Sequence, residues 1–112
     1  MASDEDFVRY VIDQSRLGDE LSYRRLFGEF ALYLDGKVVA FVCDNSVFIK
    51  ITEAVPPGLP WRPPYKMAQP HPVIDELLDE PDALRALLRA TAAALPPPRP
   101  RRPRARKPAN GA

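Results

Sequence analysis

The chain has 112 residues, 46% of them apolar and 28% charged, which is the size and make-up of one ordinary globular domain. No run approaches the roughly 18 apolar residues of a membrane span, and the acidic start M-A-S-D-E-D does not read as a secretory leader. The single cysteine, Cys43, has no second thiol to pair with, and its apolar surroundings fit a reducing, cytoplasmic setting.

The net charge of +1 hides an asymmetry. Residues 1–95 carry all 15 acidic side chains against 10 basic ones, a net of −5, whereas residues 96–112 carry six cations and no anion. An acidic domain joined to a cationic tail is expected.

Ser3 can cap a first helix over about 4–16. Asp4, Glu5 and Asp6 would sit favourably at its positive end. Phe7, Val8, Val11 and Ile12 form its apolar stripe, and Gly18 is a natural stop. Leu21–Leu26 suggests a short strand leading into a Phe27-Gly28 corner, where glycine allows a backbone angle or a close approach denied to other residues. Phe30–Leu34 is the next strand. Asp35-Gly36 between apolar runs is the strongest short hairpin signal.

Lys37–Cys43 follows, apolar on both alternating sets. Val39, Phe41 and Cys43 fall on one face, and Val38, Ala40 and Val42 on the other, as in a central strand. Asp44-Asn45 makes a second turn, and Val47–Ile51 closes the meander. Residues 53–72 hold seven prolines and predict an extended or irregular loop, with Thr52 opening at most one turn. Trp61, Tyr65 and Met67 are expected to pin this loop to the body, with room for an edge strand within 65–74. Val73–Leu78 suggests a helical turn. Glu80-Pro81 starts a final helix over about 81–94, which lays Leu84, Leu87, Leu88, Thr91, Ala92 and Leu95 on the sheet. Pro96-Pro97-Pro98 ends it. The remainder lacks apolar side chains to offset its ordering entropy and is expected to be disordered. The reading is α+β: an antiparallel meander with N- and C-terminal helices packed on it, a domain over 1–95 and a Pro/Arg-rich tail over 96–112.

No catalytic constellation is visible, and no enzyme, metal site or cofactor is expected. His71 is the only histidine, and a zinc site needs three or four ligands. Cys43 lacks the electropositive setting of a reactive thiol. No glycine-rich phosphate cradle occurs. The carboxylates gather at helix starts, where the dipole accounts for them. Arg24-Arg25 is either a solvated pair or a contact for an anion or partner. Trp61-Arg62-Pro63-Pro64-Tyr65 is either a cover over the sheet or a recognition loop, since aromatic residues favour interfaces. The tail cations Arg99, Arg101, Arg102, Arg104, Arg106 and Lys107 either solubilise the terminus or bind polyanions by counterion release.

The ordered series D-F-V-R-Y-V-I-D-Q at 6–14, R-R-L-F-G at 24–28 and A-L-Y-L-D-G at 31–36 resembles the N-terminal domain of the TfoX/Sxy family. Ala40–Lys50 and Leu78–Ala90 are similar to its later segments. Leu26 stands where the family usually has methionine, and Glu29 where it has a second glycine. The resemblance covers about 4–95. It implies a two-layer α/β domain with helices mainly on one face of an antiparallel sheet. It also implies a role like that of cytoplasmic competence regulators, which act as transcriptional co-regulators beside a DNA-binding activator. Those regulators carry a further helical domain that this sequence lacks.

The expected function is therefore a non-enzymatic regulatory or adaptor module with a protein partner in transcription. The expected contact surface is Arg24, Arg25, Phe27, Gly28, Phe30, Trp61, Arg62 and Tyr65. Nucleic-acid association through the tail is the alternative.

Overall fold

The computed structural model describes residues 4–26 and 28–97. Ser3, Phe27 and the tail cations Arg99, Arg101, Arg102, Arg104, Arg106 and Lys107 lie outside the described residues.

Helix α1 spans Glu5–Ser15. Asp4, rather than the expected Ser3, holds the extended backbone of an N-cap, and its carbonyl accepts from the Phe7 and Val8 amides. The helix ends before Gly18, on Arg16 in the left-handed region at φ 60°. The buried Ser15 hydroxyl helps the chain turn there. It donates to the Ile12 carbonyl and accepts from the Leu17 amide. A short 3-10 turn, Gly18–Glu20, then feeds the sheet.

Strands β1 (Leu21–Leu26), β2 (Glu29–Leu34), β3 (Lys37–Cys43) and β4 (Ser46–Ile49) form an antiparallel meander in that order. The two hairpin turns are tight for a local reason. Asp35 and Gly36 have φ 56° and 76°, and Asp44 and Asn45 have φ 53° and 57°. Paired positive angles match the twist of two-residue hairpins, and Asp, Asn and Gly are the residues that tolerate them. β4 is shorter than the expected 47–51, and Ile51 lies beyond it, exposed.

One irregularity sets the faces of the sheet. Leu32 pairs with Ala40 but Tyr33 pairs with Val38, so Val39 is an extra residue in a β-bulge. A bulge resets the in–out alternation. Val39 therefore joins Ala40 and Val42 in the main core instead of Phe41 and Cys43. Lys37, paired with buried Leu34, is turned to the same side.

That side carries the helices. Helix α2 (Pro81–Ala94) opens with proline at its start, where the missing N–H costs nothing. Its Leu84, Leu87, Leu88 and Ala92 join Val8 and Val11 of α1 over Phe30, Leu32, Val42 and Ile49 of the sheet. Polar ties fix the layers. Gln14 Nε2 donates to the Leu78 carbonyl at 2.5 Å, and Lys37 Nζ donates to the Ala92 and Leu95 carbonyls at 2.6 and 3.1 Å. Arg89 pairs with Glu20 at 3.0 Å. A second 3-10 turn, Asp75–Asp79, precedes α2, and its Asp75 carboxylate accepts from the Val47 amide at 2.7 Å. The architecture is α+β, with both helices on one face.

The proline-rich segment is irregular but anchored at both ends. The two-residue strands β5 (Trp61–Arg62) and β6 (His71–Pro72) pair with each other. Val73 bridges to Phe48, and the Ile74 amide donates to the Val47 carbonyl at 2.9 Å, which docks the segment beside β4. Trp61, Tyr65 and Met67 do not bury themselves to pin the loop as expected and are largely exposed; the buried anchors are Pro72, Val73 and Ile74 instead.

Candidate functional site

The face of the sheet opposite the helices is only partly covered. Its floor comes from the strand residues that point away from the core: Ala31 and Tyr33 of β2, Phe41 and Cys43 of β3, Phe48 of β4. Phe41, Cys43, Phe48 and Val73 form a small apolar cluster of their own, separate from the main core. The 61–72 loop leans over this cluster and leaves two adjoining hollows. One, of about 520 Å³, is lined by Leu26, Glu29, Phe30, Phe41, Cys43 and Tyr65. The other, of about 360 Å³, shares Phe41, Cys43 and Tyr65 with it and continues to Met67 and His71. Together they make an apolar groove. Its rim carries large apolar side chains in water: Leu26 is 43% exposed, Tyr65 66% and Met67 94%. Side chains this apolar and this exposed mark an interaction surface more often than a folding core.

Cations sit above the aromatic floor. Arg24 lies over the Tyr33 ring at 5.8 Å, Lys50 over Phe41 at 5.5 Å and Arg62 over Phe48 at 5.5 Å. Such contacts are cation–π pairs that hold the charges close to the apolar surface. Arg62 is further fixed by a 2.8 Å hydrogen bond to the Ser46 hydroxyl. The His71 ring packs edge-on against Phe41 at 6.0 Å, and its Nδ1 lies 2.9 Å from the Gln69 carbonyl oxygen. Carboxylates are present at one end, where Glu29 accepts from the Asp44 amide at 3.3 Å.

The expected contact residues therefore separate. Neighbours in a strand point to opposite faces, so Arg24 belongs to the groove side and Arg25 to the helix side. Arg25 lies 4.8 Å over the Phe30 ring and 3.7 Å from the Glu5 carboxylate, where the Tyr23 hydroxyl also donates. Phe30 is buried, with its ring edge-on to Tyr23 at 5.7 Å. Gly28 takes φ +83° with open space where a side chain would begin, so its role is the backbone angle and not a close approach. Of the expected residues, Tyr65 lines both hollows, Arg62 sits over Phe48 of the adjoining cluster, and Arg24 lies over Tyr33 in a separate hollow with Glu20 and Asp35. Leu26 and Met67 complete the rim, with Lys50 over Phe41. The period-two alternation within Leu21–Leu26 was the available signal for Leu26, whereas the phase of β3 was obscured by the bulge.

Cys43 is nearly buried, and burial, followed by the Glu29 and Asp44 charges, pushes its thiol up to about 11. Among the described residues no group of three His, Cys, Asp or Glu side chains is placed to hold a metal ion. Among the same residues no helix is long and apolar enough to cross a membrane.

The family model for the TfoX N-terminal domain matches residues 13–95. The chain belongs to the TfoX N-terminal domain family. The match ends where α2 ends and takes in the whole meander, the groove and its loop. The chain is also 40% identical over 116 aligned positions to an uncharacterized 12.7 kDa protein in the trpE 5′ region of Spirochaeta aurantia, with 96% of each chain covered. No solved structure gives a significant match.

Proposed function

We propose that this TfoX N-terminal domain protein is a non-enzymatic regulatory or adaptor module. It works in the cytoplasm by binding a protein of the transcription machinery, or a transcription regulator, through the groove on its helix-free sheet face. The observation that carries this reading is the exposure of Leu26, Tyr65 and Met67 together around one apolar groove. A chain this small ordinarily needs its apolar side chains for its own core, so gathering three large ones in water at one place calls for another use. The family resemblance to competence co-regulators supports the same reading.

A pull-down from native cytoplasm tests it, with wild type compared against Leu26→Asp and Tyr65→Ala. Enrichment of RNA polymerase or a transcription factor by the wild type, lost in both variants, is expected. Recovery of the same proteins by all three baits would exclude the groove.

A second reading rests on the tail. Six cations without an anion in residues 96–112 favour nucleic-acid association without sequence readout. Its signature is DNA or RNA affinity with a salt slope near −5, about −0.9 for each phosphate contact, lost when residues 96–112 are removed.

A further inference from the structure

The chemistry of the groove restricts what fills it. We infer that its occupant is an acidic, apolar peptide segment of another protein: two apolar side chains seated in the two hollows, flanked by carboxylates that meet Lys50 and Arg62. This rests on the binding-module reading and goes further by naming the ligand chemistry.

Three observations lead there. The first is shape. Two hollows share the walls Phe41, Cys43 and Tyr65, so the groove is a trough with two apolar compartments and suits a chain segment with two anchors. The second is charge. Lys50 and Arg62 are held by ring contacts over Phe41 and Phe48 of the floor, and Arg62 also by Ser46. Most carboxylates of the domain lie on the helices and their flanking turns, and Glu29, the acid that lines the groove, stands at its end beside Asp44. A net-acidic domain that presents two cations over the floor of this apolar groove is complementary there to an acidic ligand. The third is elimination by the same charges. Every charged side chain of residues 96–112 is a cation, a poor complement to Lys50 and Arg62. A second copy docking by the same face would set like charges against each other.

Single-stranded nucleic acid is also anionic and favours aromatic platforms. Bases need open ring faces to stack on. Here Phe41 and Phe48 of the floor are each covered by a cation of the chain itself, and Phe48 is buried. The exposed ring of Tyr65 at the rim makes oligonucleotide binding an outcome that the test must separate, whereas the two apolar hollows suit the side-chain anchors of a peptide.

The test is selection from a random dodecapeptide display library on the full chain, with counter-selection on the full chain carrying Leu26→Asp and Tyr65→Ala. The counter-selection bait keeps the same tail, so peptides held by tail cations alone are removed. Both replaced side chains are solvent-exposed, and circular dichroism confirms that the bait is folded. Recovered peptides are expected to carry an excess of Asp and Glu around two apolar residues. A fluorescein-labelled selected peptide should lose affinity about tenfold on Tyr65→Ala and on Lys50→Glu, and bind unchanged to Arg85→Ala on the helix face.

Recovery of neutral or basic peptides sensitive to Tyr65→Ala overturns the acidic ligand and leaves the binding module standing. No enrichment overturns both. Binding of a twelve-residue oligothymidylate that is weakened by the same groove variants replaces the peptide by nucleic acid and overturns the inference.

Discussion

Lys37→Met tests the role of the β3 bulge most directly. Without the extra residue at Val39, Lys37 would share a face with Phe41 and Cys43 and point away from the helices. With it, the ammonium reaches the end of α2 and donates to the Ala92 carbonyl at 2.6 Å and the Leu95 carbonyl at 3.1 Å. These are acceptors that a helix cannot satisfy internally at its C-terminus, where positive charge is also favoured. Hydrogen bonds to a charged group contribute about 1.5–3 kcal/mol when desolvated. Lys37 is half-buried, and water can replace it in part, so the lower end applies. Methionine keeps most of the apolar stem and removes the donor. The expected loss is about 1.5 kcal/mol, which for a domain of this size lowers Tm by roughly 6–12 °C. Urea unfolding followed by far-UV circular dichroism measures it, with an unchanged m-value as the sign that only stability moved. A midpoint indistinguishable from wild type would refute the argument that the bulge recruits Lys37 as a cap.

Three further outcomes follow from the same geometry. Leu88→Ala removes a fully buried side chain between α2 and the sheet and should cost about 3 kcal/mol by urea titration, whereas Tyr65→Ala at the groove rim should leave the midpoint in place. The Tyr23 hydroxyl, followed by the Arg9 and Arg25 charges, holds the Glu5 carboxyl below its usual range. A depressed carboxyl pKa stabilises the fold above the unfolded value and ceases to do so as pH falls through the folded one, so Tyr23→Phe should flatten the acid side of the stability profile. For Cys43 the sign is opposite. Its thiol stands at about 11 against an ordinary 9.0, so its contribution is complete below pH 9.0 and is lost as pH rises toward 11. At pH 8 a disulfide reagent should label the folded protein about a hundredfold more slowly than the urea-unfolded chain; equal rates would contradict the burial.

The elements were legible because their ends are written in local chemistry. Asp35-Gly36 and Asp44-Asn45 tolerate the paired positive φ values of the two hairpins, and Pro81 fits only the first turn of a helix. The phase of β3 was not legible. Val38, Val39, Ala40, Phe41 and Val42 are all apolar, so alternation carries no information about which side faces the core. Only the pairing with β2 reveals Val39 as the extra residue. The candidate site was half legible for a related reason. Adjacent Arg24 and Arg25 read as one corner, but consecutive residues of a strand serve opposite faces. Trp61 and Tyr65 read as cover or recognition loop alike, because the number of apolar residues needed to close this core depends on how two helices and four strands meet.

The two faces of the sheet differ in what a substitution there would change. The helix face holds Val8, Val11, Leu84, Leu88 and the inward residues of all four strands in one cluster, so changes there act on folding. The groove floor is a separate cluster of Cys43, Phe48 and Val73 with Phe41 beside them, and its rim is largely in water. Rim substitutions such as Leu26→Asp leave few buried contacts to lose, so sequence at the rim can vary without cost to the fold. The floor is less free. Phe41 and Phe48 seat Lys50 and Arg62 as well as bury area, so trimming either ring releases a cation from its place and enlarges the groove at once. On the proposed binding role, specificity would reside in Leu26, Tyr65 and Met67, while the charges that select the class of ligand are tied to aromatic residues that the sheet itself requires.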